Sequence, residues 1–227
     1  MKDYWTEYWK LHGKQSKDLD RQTQVLRTLN KQPITKERWQ FTLSEIDKQF
    51  KVSQGEHVLD LCSGNGLLSR HFASKGAIVR AVDISADLLE GLKNETGISV
   101  ENADIRQVNY AAESFDHVLL YAGVQYLNLE ETVILLQRIH SWLKPGGTVF
   151  VGDIPDLDHQ FSFYNTPERQ TVYFQNLLKG IDVVGTWFRK DWLINLAAHL
   201  GYESAKVVPQ NEELIYAKYR FDLKLVK

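Results

Sequence analysis

The run Val58-Leu59-Asp60-Leu61-Cys62-Ser63-Gly64-Asn65-Gly66 constrains this chain more than any other part of it. An apolar stretch ends in an acidic residue, a glycine-containing turn follows, and a helical pattern opens near Leu67. Gly64 and Gly66 can take backbone angles that other residues resist, and they let a ligand approach the main chain closely. The opening N–H groups of the next helix can bind polar groups there. Asp60, at the strand tip, would repel a dinucleotide phosphate and attract an ammonium group. The pattern therefore points away from a nicotinamide dinucleotide and toward an amino-acid-bearing nucleoside.

From residue 57 onward, strands and helices alternate. The sequence predicts strands near 57–61, 78–82, 98–101, 116–121 and 147–153, and helices near 66–75, 86–95 and 129–143. Such alternation means crossover units and a mostly parallel sheet. Lys144-Pro145-Gly146-Gly147 reads as a turn feeding a strand. Residues 1–30 read as helical and aromatic-rich, with Tyr4, Tyr8 and Leu11 at helical spacing and Trp5 and Trp9 likewise. Gln32-Pro33-Ile34-Thr35 breaks that pattern, and Thr35 can cap a helix that buries Trp39, Leu43, Ile46 and Phe50. Residues 155–190 lose all periodicity while keeping many aromatics, and a helix near 190–200 follows. Tyr202–Val208 and Leu214–Phe221 then read as a closing hairpin. With no repeat or linker, the 227 residues read as a single domain.

Five segments, in order, resemble the motifs of class I S-adenosylmethionine-dependent methyltransferases. Val58–Gly66 is similar to the glycine-rich motif. Ala81-Val82-Asp83-Ile84-Ser85 resembles the second-strand acidic motif, and Asn102-Ala103-Asp104-Ile105 the third. Phe115–Leu120 through Gln125-Tyr126-Leu127 resembles the fourth strand and its loop. Leu143–Val149 resembles the turn before the fifth strand. Five such elements in series are more specific than any one of them. The resemblance implies an α/β, Rossmann-like, mostly parallel seven-stranded sheet flanked by helices, with a C-terminal antiparallel hairpin. The helical extension over 1–50 and the aromatic insertion over 155–190 are expected to fold over the site as a lid, or else their aromatics form a dimer interface. Cys62 stands where the family usually has a third glycine.

The resemblance further implies S-adenosyl-L-methionine as cofactor, S-adenosyl-L-homocysteine as product, and a small-molecule acceptor. Asp60 would hold the amino group, or else cap the following helix. Asp83, about twenty residues further on, would accept the ribose hydroxyls, or else serve as a cap. Asp104 would meet the adenine amino group, with Ile84 and Ile105 packed on the base, unless it is a solvated loop carboxylate. Cys62, Gly64, Gly66 and Tyr121 complete the expected cofactor site. Tyr126 and Gln125 are candidates to orient the acceptor, and Asp153 or His159 to take its proton. Arg169 and Arg189 could bind an acidic acceptor. The segment Tyr121-Ala122-Gly123-Val124-Gln125-Tyr126 lacks the Asn/Asp-Pro-Pro-aromatic pattern common among members acting on planar nitrogens, which tilts toward an oxygen, carbon or aliphatic amine acceptor.

Composition narrows the partners. A net charge of -2 makes no electrostatic case for nucleic acid. No stretch is apolar enough to span a membrane, and the start lacks the apolar core of a signal peptide, so a cytoplasmic monomer or homodimer is expected. One cysteine excludes an internal disulfide, and no His-spaced acidic cluster suggests a metal. Two other functions fit part of the pattern. Gly64-Asn65-Gly66-Leu67-Leu68-Ser69 approximates the fingerprint of a nicotinamide-dependent oxidoreductase. A non-catalytic nucleoside-binding module of the same fold would keep the pocket without the chemistry.

Overall fold

The computed structural model describes residues 2–181 and 183–227. Met1, in the expected extension, and Asp182, in the expected insertion, lie outside the described residues. Seven strands form one sheet: β1 His57–Leu61, β2 Ile78–Asp83, β3 Ile98–Asn102, β4 Phe115–Tyr121, β5 Leu143–Pro155, β6 Ser204–Pro209 and β7 Arg220–Val226. Their spatial order is β3-β2-β1-β4-β5-β7-β6. The first five run parallel, and β7 runs antiparallel to both β5 and β6. Successive strand side chains point to opposite faces, so one strand feeds two cores. Val118 and Leu120 of β4 pack with Leu59, Trp142 and Phe188 on one face. Leu119, between them, packs with Phe50, Phe72 and Phe150 on the other.

Among the described residues there are six longer helices: α1 Lys2–Gln15, α2 Lys36–Gln49, α3 Leu67–Ser74, α4 Leu129–Trp142, α5 Pro167–Leu177 and α6 Lys190–His199. Thr35 caps α2, accepting the Arg38 N–H. Asn128 and Glu131 form a reciprocal capping box on α4, satisfying two N–H groups that a helix start leaves open.

Four local expectations need correction. Residues 1–30 are not one helical region: after α1 and a single turn at Arg21–Gln24, Thr28–Leu29 pairs with Gln32–Pro33. Asn30 and Lys31 both take positive φ, as a two-residue hairpin turn demands. The helix expected over 86–95 shrinks to Ala86–Leu89 and a 3-10 turn at Glu90–Leu92; Gly91 is a poor helix former. The segment 155–190 contains the regular helix α5, capped by Thr166 and opened by Pro167. The last strand is Arg220–Val226, not 214–221, because the alternating buried set Phe221, Leu223 and Leu225 runs to the end of the chain.

The reversal of β7 matters for the site. Antiparallel pairing sets Arg220 opposite Pro155 and Phe221 opposite Ile154. The start of β7 therefore lies at the carboxyl edge, beside the tips of the parallel strands. The β5–β7 register shifts between Val151 and Ile154, with Gly152 and Asp153 facing the lone Asp222. That is a β-bulge, and bulges redirect side chains near sites. Asp153 sits in it with φ +60.

Candidate functional site

A cavity of about 350 Å³ opens beyond the carboxyl ends of the parallel strands. Open α/β sheets bind ligands at that edge, and small-molecule sites span roughly 300–1,000 Å³. The strand order divides the cavity. Tips of β1, β2 and β3 line one half through Asp60, Asp83 and Asp104; β4, β5 and the start of β7 line the other through Tyr121, Asp153 and Arg220.

The three acidic residues differ in state. Asp60 is buried and accepts a 2.5 Å hydrogen bond from Ser69 Oγ of α3, so it ties the strand tip to the helix while facing the cavity. Burial, with Asp83 adding repulsion and Ser69 opposing, pushes its carboxyl up to about 7. Asp83 accepts N–H groups from Gly64 at 2.8 Å and Ser85 at 2.9 Å, one on each oxygen. A carboxylate has about four acceptor sites, so each oxygen keeps one for a ligand. Burial raises its pKa, and the backbone bonds counter part of that rise. Asp104 is not a free loop carboxylate. Arg106 grips it through Nε at 2.9 Å and Nη2 at 2.5 Å, and donates its backbone N–H as well. Burial would push Asp104 up, but Arg106 holds it below the usual carboxylate range.

The Asp60 shift has a measurable consequence. Near pH 6 the free carboxyl is mostly protonated, and an ammonium group bound beside it favours the ionised form. If Asp60 meets the ammonium group of S-adenosylhomocysteine, binding should release up to about one proton per site, and its affinity should climb with pH until near 7. Calorimetry at pH 6 in buffers of different ionisation enthalpy reads this number, and Asp60→Asn should abolish the release. An unchanged proton count in that variant would remove Asp60 from the ammonium site. The sign for the ligand-free fold is opposite: a carboxyl raised above its unfolded value costs stability as pH climbs from about 4 toward 7.

In the other half, Arg27 Nη1 meets Asp153 Oδ2 at 2.8 Å, and both side chains are buried. The Arg27 guanidinium also lies 4.7 Å from the Tyr121 ring centroid. Asp153 receives Gln210 Nε2 at 3.3 Å, while its own N–H donates to Asp222 Oδ1 at 2.7 Å. Burial would raise Asp153, yet Arg27 and Arg220 outweigh that and hold it below its ordinary value. A paired carboxylate with a lowered pKa is a weak proton acceptor, so the base role expected of Asp153 is not favoured by its surroundings. His159 stands outside the cavity lining, half-exposed, with Nδ1 2.7 Å from Asp156 Oδ2. Arg169 and Arg189 also lie off the cavity; Arg189 pairs with Asp191 at the surface. Tyr126 lines the cavity, its ring 4.7 Å from Trp5 and 5.6 Å from Trp9, and burial raises its phenol well above the ordinary value.

The glycine turn works differently from the expectation. A side chain at Gly66, where φ is +75, would strike Leu92, so that glycine serves helix packing and does not line the cavity. At Gly64, φ +56, a Cβ would come within 2.7 Å of Val25. The N-terminal segment thus already rests on the turn, and Asn65 Nδ2 fastens it by donating to Arg21 O and Gln24 Oε1. Arg106 Nη2 similarly donates to Thr6 Oγ1 at 3.1 Å. Cys62 takes φ +57 and lines the cavity; its neighbour Gly123 supplies the missing room, since a Cβ there would fall 2.7 Å from Cys62 Cβ. Burial and nearby carboxylates push the thiol far up, which favours packing over reactivity. Of the expected residues, Asp60, Cys62, Gly64, Asp83, Ile84, Asp104, Ile105, Tyr121, Tyr126 and Asp153 converge on the cavity; Gly66 and His159 do not. Arg27, Arg106 and Arg220 also line the cavity and carry no local sequence signal for it, because an arginine in sequence reads as surface. Among the described residues, no group of three or more His, Cys, Asp or Glu side chains could hold a metal ion.

Fold and cavity define a doubly wound α/β protein with a ligand-sized cavity at the carboxyl edge of its sheet. Residues 58–147 match a family described as "Methyltransferase domain". The ubiquinone biosynthesis O-methyltransferase of Coxiella burnetii is 32% identical over 117 residues, 49% of each chain. The carboxy-S-adenosyl-L-methionine synthase of Vibrio vulnificus is 33% identical over 113 residues, 45% of each. The chain spans about half the length of the curated relatives it matches. A solved structure of an S-adenosylmethionine-dependent methyltransferase from Archaeoglobus fulgidus superposes with a TM-score of 0.63 at 16% identity, over 85% of this chain and 95% of that one, a likeness of fold. Over residues 58–147, then, the chain is similar to methyltransferase domains, and most of its length shares their fold.

Proposed function

We propose that this chain moves the methyl group of S-adenosyl-L-methionine to a small-molecule acceptor. The carrying observation is the row of three strand-tip acids, Asp60, Asp83 and Asp104, along one wall of a cavity whose other wall bears aromatics and arginines. The residues fit the cofactor chemically. Asp60 would face the ammonium group, Asp83 the ribose hydroxyls, and Ile84 and Ile105 the base. Asp104 is engaged by Arg106 and would share its remaining capacity with the adenine amino group. Ser63 Oγ and Asn65 Oδ1 are buried beside the turn without partners and would receive the amino-acid end. When bound, the cofactor supplies an electrophilic methyl on a sulfonium, taken in an in-line displacement.

The protein's own contribution is to position the acceptor and exclude water. Asp153 is neutralised by Arg27, His159 is remote, and the Tyr126 phenol resists ionisation. An acceptor whose nucleophile already carries a usable lone pair near neutral pH suits such surroundings. Cytoplasmic location, a monomer or homodimer, and the absence of a nucleic-acid partner belong to the same proposal. Among the described residues no helix is long and apolar enough to cross a membrane.

Titration of the protein with S-adenosylmethionine, S-adenosylhomocysteine and NADH tests the reading. Binding of the first two supports it; binding of NADH alone would replace it with the oxidoreductase. Transfer of a labelled methyl group to any acceptor separates an enzyme from a binding module.

The extension and the insertion are proposed as lids, supported by Trp5 and Trp9 against Tyr126 and by Phe163 and Val184 on the cavity. S-adenosylhomocysteine should then slow proteolysis between residues 4 and 26 at least about fivefold, since cleavage follows the population of the open form. Equal cleavage with and without ligand would refute the lid.

A further inference from the structure

Two arginines, Arg27 and Arg220, and one carboxylate, Asp153, line the half of the cavity away from the three acids, with Asp222 behind Asp153. Arg27 and Asp153 cancel as a buried pair. Arg220 has no such partner: among the described residues no carboxylate lies within ion-pairing distance of it. Its Nη1 donates to the backbone carbonyl of Asp153 at 2.9 Å, and its buried Nε–H has no acceptor. The edge formed by Nε and Nη2 is the one that grips two oxygens of a planar or tetrahedral oxyanion side by side. A second buried donor on the cavity wall, Trp9 Nε1, also lacks an acceptor. A buried donor without a partner has lost its water and gained nothing in exchange, so both are standing demands for an incoming acceptor atom. Gln125 Oε1, on the cavity wall, is a buried acceptor without a partner and would take an N–H or O–H from the same molecule. One aromatic ring lies beside the guanidinium, the Tyr219 centroid being 5.8 Å from Arg220 Cζ.

We propose that the methyl acceptor carries an oxyanion, a carboxylate or a phosphate-type group, held by the Nε edge of Arg220 at the start of β7. This rests on the methyltransferase reading and narrows its substrate class. The placement follows from topology: only an antiparallel last strand brings its first residue to the edge where the parallel strands end.

The test uses the full chain saturated with S-adenosylhomocysteine and three probes of similar shape: benzoate, phenylphosphonate and neutral benzamide. At least one anion should bind at least tenfold more tightly than benzamide. Arg220→Gln should erase that preference while S-adenosylhomocysteine affinity stays within twofold, and Arg220→Lys should restore part of it. Benzamide binding as tightly as both anions, or a preference that survives Arg220→Gln, would overturn the proposal. The wild-type comparison decides the matter even if the variant does not fold. Failure of S-adenosylhomocysteine itself to bind would instead count against the methyltransferase reading.

Discussion

Asp83→Asn is expected to weaken S-adenosylhomocysteine binding by at least about 100-fold. Each Asp83 oxygen spends one site on a backbone N–H, from Gly64 or Ser85, and offers the other to the cavity. Hydrogen bonds to a charged group are worth about 1.5–3 kcal/mol each, and two of them exceed the roughly 2.7 kcal/mol that a factor of 100 requires. An amide keeps one oxygen, and its NH₂ must face either an N–H of the turn or the ribose. The fold should lose far less than the binding, because Asp83 is buried with a raised pKa and its charge is itself a burden there. Calorimetry gives the affinity and thermal unfolding the stability. Affinity within threefold of wild type would mean that the ribose lies elsewhere.

The second large effect concerns stability. Arg27→Met should destabilise the protein by about 3–5 kcal/mol, because it strands the Asp153 carboxylate without its cation in a buried place. For a chain of this size that corresponds to a drop on the order of 10 °C in Tm. Adding Asp153→Asn should recover most of the loss, since the cost lies in the unpaired charge rather than in the missing pair. Thermal unfolding of the two single variants and the double variant closes the cycle. Additive losses would show that the two side chains are not energetically coupled, despite their 2.8 Å separation.

The sheet was legible because its signals are local. Val58–Leu61 and the glycine turn after them announce a strand and a helix within ten residues, and β1 and α3 follow the expectation closely. The acids at the strand tips were legible for the same reason: Asp60, Asp83 and Asp104 each sit where a strand pattern stops, and parallel strands bring such ends to one edge. Gly66 shows the limit of that logic. Its positive φ follows from the turn, but its task is set by Leu92, a contact no spacing announces.

The acceptor half was not legible. Arg27 and Asp153 are 126 residues apart and meet only through the fold. The bulge that aims Asp153 depends on the β5–β7 register, and the last strand itself begins six residues later than its composition suggested. His159 looked catalytic by its nearness to β5 in sequence, but the 3-10 turn at Leu157–His159 carries it off the cavity. Sequence alone thus determined the alternating fold, the cavity-bearing edge and the three acids, because hydrophobic period and turn chemistry act over a few residues. Tertiary structure decided which arginines are buried, which acid is neutralised and which donors remain unmet, because charge pairing and desolvation depend on distances that only the packed chain sets.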